Sequence, residues 1–240
     1  MGRPRLKDKK KSESDLSGRS LKSRIIEALG SKNFDSGVRE ISDLPIRRAV
    51  NPLFSLLYSS DQDMKWKAVK MMGVLIDRLA SQDIESARVI MRRLMWNLND
   101  ESGGIGWGSA EAMGEILAIN ETLAEEYSSI LLSYAREDGN FQELESMQRG
   151  VLWGILRLAQ VRPHLVKESV PFVIPFLSSK DSVVRGTAAW IIGTIGDSGA
   201  VGHLERLLND DGEIKIFIDD RLCERRVKDI VKEAIENVSA

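Results

Sequence analysis

The chain of 240 residues has one cysteine, Cys223, and two histidines, His164 and His203. A lone thiol forms no internal disulfide and no thiolate metal cluster. Two histidines, each followed by Leu, supply neither a zinc ligand set nor a suggestive acid–base pair beside a nucleophile. Long apolar runs are missing too. The most apolar stretch, VPFVIPFL at 170–177, is interrupted by Pro171 and Pro175 and falls well short of the roughly 18–20 residues a spanning helix needs. No transmembrane segment and no membrane partner are expected. The opening MGRPRLKDKKK has no apolar stretch of a secretory signal, and Leu6 stands where a myristoylation motif wants Ser or Thr. A cytoplasmic location is the expectation that these absences leave.

Charge is present in quantity but unevenly placed. Residues 1–24 carry nine Lys or Arg against three Asp or Glu, which leaves 25 basic and 33 acidic residues for the rest of the chain. An acidic body repels nucleic acid, because phosphate neutralisation supplies most non-specific affinity. Only the basic tail, over 1–20, could attract a polyanion. GRPR at 2–5 has the composition of a minor-groove arm, although a Lys/Ser-rich first segment is more commonly a solvated disordered tail.

The strongest pattern is a repeat. A glycine recurs in matching helical contexts, KAVKMMGVLID at Gly73, SAEAMGEILA at Gly114, GVLWGILRL at Gly154 and AAWIIGTIGD at Gly193, at intervals of 41, 40 and 39 residues. Upstream of each lies a second apolar segment with i, i+3, i+4 spacing: Ala49–Leu57, Val89–Trp96, Tyr127–Tyr134 and Val170–Leu177. Polar breaks such as Ser59–Asp63 and Ser178–Ser182 suit the N-caps of the next helix. The unit reads as helix, turn, helix. One pair cannot bury its apolar face alone, so the pairs must stack.

Residues 173–200, with an acidic turn, Val184-Arg185, paired alanines and Gly193-Thr-Ile-Gly-Asp197, closely resemble a HEAT repeat of the phycobilisome-lyase type. The resemblance extends more loosely over about residues 45–240, and Trp107-Gly-Ser-Ala-Glu-Ala-Met-Gly-Glu115 is similar to bacterial HEAT-like proteins. It implies an all-α fold: an α-solenoid of stacked helix-turn-helix HEAT-like repeats. The expected organisation is an N-terminal helical cap at 21–44, core repeats at 45–198 and a C-terminal capping repeat at 199–240. Within that last unit Ile214, Ile216 and Ile218 alternate strictly, so a short β-hairpin insertion is expected at 213–226, turning near Asp219-Asp220. It reads either as a docking edge or as a cover for the terminal core. The same family includes an iron-dependent hydroxylase held by His-Glu pairs, and the chain has no such pair.

The glycine-rich LNDESGGIGWG at 98–108 lacks the Lys-Ser/Thr end of a phosphate-binding loop, follows no strand, and places Asp100 and Glu101 where a phosphate would be repelled. It reads as a lengthened turn. Asp210, Asp211, Glu213, Asp219 and Asp220 lack calcium-loop spacing and read as hydrated loop residues. No cofactor and no metal are expected.

In solenoids the second helices of successive units line one face, which commonly binds partners. Aligning the four glycines places Trp66, Trp107, Met147 and Gly186 in one column, Lys70, Glu111, Val151 and Trp190 in the next, and Val74, Glu115, Ile155 and Thr194 beyond it. Trp66, Trp107 and Trp190 are the candidate anchors, since Trp buries much area and keeps a donor. Lys70, Glu111 and Glu115 are the candidate polar contacts. Equally, Trp66 and Trp107 could close gaps between repeats. Trp96 and Trp153 are assigned to the core. Arg149 falls in a column of small residues, so Glu111 or Glu115 of the preceding repeat is its expected partner, unless the register slips there. The function these features favour is a non-enzymatic scaffold for a protein or peptide partner. The alternative is an enzyme or enzyme subunit related to HEAT-like lyase subunits or HEAT-like DNA glycosylases.

Overall fold

The computed structural model describes residues 17–31, 34–100 and 106–239. The basic-tail reading falls mostly outside these residues, although a helix already begins at Gly18. In chain order the helices are α1 (Gly18–Leu29), α2 (Phe34–Ser42), α3 (Ile46–Leu56), α4 (Gln62–Gln82), α5 (Ile84–Leu98), α6 (Ser109–Ile119), α7 (Glu121–Ser133), α8 (Glu145–Val161), α9 (Val170–Val173), α10 (Ser182–Ile195), α11 (Val201–Leu204) and α12 (Val227–Ser239). Strands β1 (Glu213–Ile218) and β2 (Arg221–Arg226) lie between α11 and α12.

The helices form two layers. The glycine-bearing helices α4, α6, α8 and α10, closed by α12, pack in sequence one on the next, and the first helix of each pair backs its own partner. The caps follow the polar breaks. Asp61 accepts from the Asp63 and Met64 amides to start α4, and Asp181 does the same for Val183 and Val184 at α10. Pro171 and Pro175, which lack N–H donors, break the expected 170–177 helix into the single turn α9 and a 3-10 turn over Ile174–Ser178.

The recurring glycine is a contact between helices. A Cβ on Gly114 would overlap the Gly154 Cα, and one on Gly154 would lie 2.7 Å from the Ala110 carbonyl oxygen, so α6 and α8 meet backbone to backbone. Gly193 meets Ala234 of α12 in the same way. That spacing is why the period could be read at all.

Trp153 is buried, as its core assignment requires, but Trp96 is not: it is 62% exposed. On α5 the buried stripe runs through Ala87, Met91, Leu94 and Leu98, and Trp96 lies two residues past Leu94, about 200° round the helix. Its hydrophobicity was a poorer guide than its phase.

The hairpin is antiparallel, pairing Ile216 with Cys223 and Ile218 with Arg221. Its two turn residues, Asp219 and Asp220, have φ of 50° and 60°, the sense that matches strand twist in a two-residue turn. Its base is held firmly. Arg185 of α10 donates to both Asp210 carboxylate oxygens, at 2.6 and 3.1 Å, and to the Ser179 and Lys180 carbonyls. Ser182 donates to the Glu213 carbonyl at 2.8 Å. The guanidinium beside Asp210 holds its carboxyl below the usual range.

Candidate functional site

The candidate residues lie on neighbouring second helices, spaced one helical turn apart. Helix α4 presents Lys65, Trp66 and Lys70; α6 presents Glu111 and Glu115; α8 presents Arg149, Trp153 and Arg157. The hairpin lies across them. Phe217 of β1 stacks nearly parallel on Trp66, with ring centroids 4.8 Å apart, and Trp153 closes on Trp66 at 4.6 Å. The Trp153 indole N–H donates to the Phe217 carbonyl at 2.7 Å, satisfying a buried donor. Trp66 is therefore only 7% exposed and is no free anchor; its face is already covered by the chain's own hairpin.

The aromatic cluster separates two cavities. One, of about 500 Å³, opens toward the N-terminal ends of the second helices and is bounded by Tyr58, Lys65, Trp66, Trp107, Glu111 and Arg149, with Lys215, Ile216 and Leu222 of the hairpin opposite. The other, of about 140 Å³, lies further along the helices among Lys70, Glu115, Arg157 and the turn residues Asp219 and Asp220. Trp153 lines both.

In the first cavity Lys65 donates to Glu111 at 2.6 Å, and both side chains are largely buried. Gly150 of α8 leaves room for that carboxylate: a Cβ there would lie 2.5 Å from its Oε2. Trp107, at the rim, is 50% exposed. It is presented by Gly108, whose φ of +74° and close approach to Leu57 a side chain would not tolerate. Residues 101–105 of the glycine-rich stretch lie outside the described residues. Burial raises the Tyr58 phenol above its ordinary value, opposed by the nearby Arg93 charge.

In the second cavity Glu115 is completely buried. Arg157 donates to its Oε2 at 2.7 Å, and the Lys70 ammonium lies 2.6 Å from Oε1 as an ion pair without hydrogen-bond alignment. Lys70 also lies 3.3 Å from Asp220. Arg157 is the residue that reading the columns missed, one turn beyond Trp153 on α8.

Two further expectations are corrected. Arg149 pairs with neither Glu111 nor Glu115; its Nε donates to Asp181 at 2.8 Å, so the carboxylate belongs to the N-cap of the following repeat. The guanidinium points out of the small-residue column, and its side chain is 53% exposed. Trp190 does not join Trp66 and Trp107. It is half-buried on α10, with the Arg225 guanidinium 5.4 Å from its ring centroid. Among the described residues no three His, Cys, Asp or Glu side chains converge as metal ligands, and no helix is long and apolar enough to cross a membrane.

Residues 145–195, which span α8 to α10, match the HEAT-like repeat family. The fold is that of a HEAT-like repeat array. Among solved structures, this HEAT-like array is similar to a designed armadillo repeat protein, at 17% identity over 91% of this chain and 99% of the other, with a TM-score of 0.52. It is likewise similar to a designed armadillo repeat protein in complex with the peptide (KR)4, at 17% identity, the same coverage and a TM-score of 0.53. An uncharacterised protein of Archaeoglobus fulgidus is 22% identical over 190 residues, 77% of this chain and 94% of that protein.

Proposed function

We propose that the protein is a non-catalytic scaffold that binds an extended segment of a protein partner in the cavity between its hairpin and the N-terminal ends of its second helices. One observation carries this reading: Trp107, Glu111 and Arg149, from two successive repeats, converge on a cavity of about 500 Å³ whose opposite wall is the β1–β2 hairpin. The lining mixes apolar rings with ion-paired cations. Lys65 is engaged by Glu111, Arg149 by Asp181, and Lys215 stands beside them, a mixture that suits a peptide with both apolar and polar side chains. The half-exposed Trp107 is the anchor, because interface hot spots favour Trp in partly enclosed positions. Engagement of the (KR)4 peptide by a structurally similar repeat protein supports the class of ligand. Nothing in this reading calls for a cofactor, a metal or nucleic acid.

Selection from a random peptide library on the immobilised chain, with Trp107→Ala as counter-selection, tests it. Peptides enriched on the native chain and lost on the variant support the reading; peptides enriched equally on both exclude this cavity.

A further inference from the structure

The hairpin does more than cover the terminal core. Its base is fixed to α10 by Arg185–Asp210 and Ser182–Glu213, while its tip crosses the stacked helices to α4. There the contacts form a two-point pattern. Trp66 and Lys70 are four residues apart and so share one face of α4. Phe217 stacks on the first and Asp220 lies 3.3 Å from the second. Each half of the seat is buttressed from the next helices: Trp153 tilts against Trp66 and caps the Phe217 carbonyl, and Glu115 holds Lys70. The seat thus offers an aromatic face, a donor for a backbone carbonyl and a cation. Those are the elements needed to take a strand end bearing an aromatic side chain that runs into a turn with a carboxylate three residues later, as Phe217 and Asp220 do.

We infer that the hairpin tip is a tethered ligand, occupying a seat on α4 and α8 that a partner's β-turn of the pattern aromatic-x-x-acid takes in exchange. This rests on the reading of the hairpin side as the binding face and names the partner chemistry there. The tip is attached by the Phe217 ring, one backbone carbonyl and the exposed Asp220, whereas the base is attached by a partly buried, bidentate arginine. The tip can therefore leave while the base stays.

The probe is a synthetic peptide of residues 212–227, which contains no Trp, so that every change in tryptophan emission reports Trp66, Trp153 or their neighbours in the protein. It is titrated under reducing conditions into the full chain and into two full-length variants. Phe217→Ala empties the ring seat. Asp220→Lys repels the tip from Lys70 without removing buried apolar surface, since the Asp220 side chain is 70% exposed. Circular dichroism and melting establish that each variant folds; if Phe217→Ala does not, Asp220→Lys carries the test. The expected result is binding to the variants at least tenfold tighter than to the native chain, abolished when the peptide's own Phe is replaced by Ala. Equal binding to native and variant proteins, or none to a folded variant, overturns the inference. Because the titration uses no outside partner, its failure is separate from failure of the Trp107 selection.

Discussion

Glu111 and Glu115 stand one turn apart on the same helix, both buried, on opposite sides of the aromatic cluster, yet their surroundings differ. Glu111 faces the roomier cavity and has one cation, Lys65; Glu115 is sealed beneath the hairpin tip and has two, Lys70 and Arg157. A carboxylate that water can reach tolerates a single partner, whereas one without water needs its charge more fully matched. The difference marks the first side as open to an outside ligand and the second as already in use by the chain itself.

The largest effect is expected where compensation is removed from the sealed side. Lys70→Met combined with Arg157→Met leaves Glu115 alone and should lower unfolding free energy by about 3–5 kcal/mol in denaturant titration. Cutting the hairpin's base comes next: Arg185→Gln should cost about 1.5–3 kcal/mol at pH 7, as loss of charged hydrogen bonds does. The pH dependence fixes its origin. Asp210 has a folded pKa below its unfolded value, so its contribution is present above about pH 4 and disappears as pH falls through the folded value. Melting curves of Arg185→Gln and native protein should therefore converge in acid. Lys65→Met, on the open side, should cost only about 1–2 kcal/mol, because water entering the cavity can hydrate Glu111. If this loss equals that of the Lys70/Arg157 pair, the two sides are not distinct. Smallest of all, Trp107→Ala should change stability by no more than about 0.5 kcal/mol while abolishing peptide enrichment.

Much of the architecture was legible because it is written locally. Glycines recurring near every fortieth residue mark where one second helix meets the next, Asp61 and Asp181 mark helix starts, and Ile214, Ile216 and Ile218 before Asp219-Asp220 mark the hairpin. The site was less legible because its partners come from distant segments. Nothing near Trp66 announces Phe217, which lies off the alternating isoleucine face that drew attention to the strand. The column of small residues points Arg149 toward carboxylates of the preceding repeat, whereas its partner is the N-cap Asp181 of the following one. Column alignment gives a side chain's rank along its helix but not which neighbouring repeat it leans toward. Phase was decisive for Trp96, whose bulk alone suggested burial.

The strap from the last unit to α4 also bears on how the molecule comes apart. A linear array held only by nearest-neighbour interfaces can fray from either end, each unit melting nearly independently. Here Phe217 on Trp66 joins the two ends of the run of second helices, so while the tip is seated the terminal unit cannot be lost without disturbing the first. A chain of weakly coupled units becomes a closed circuit, and its unfolding should sharpen toward a single cooperative step.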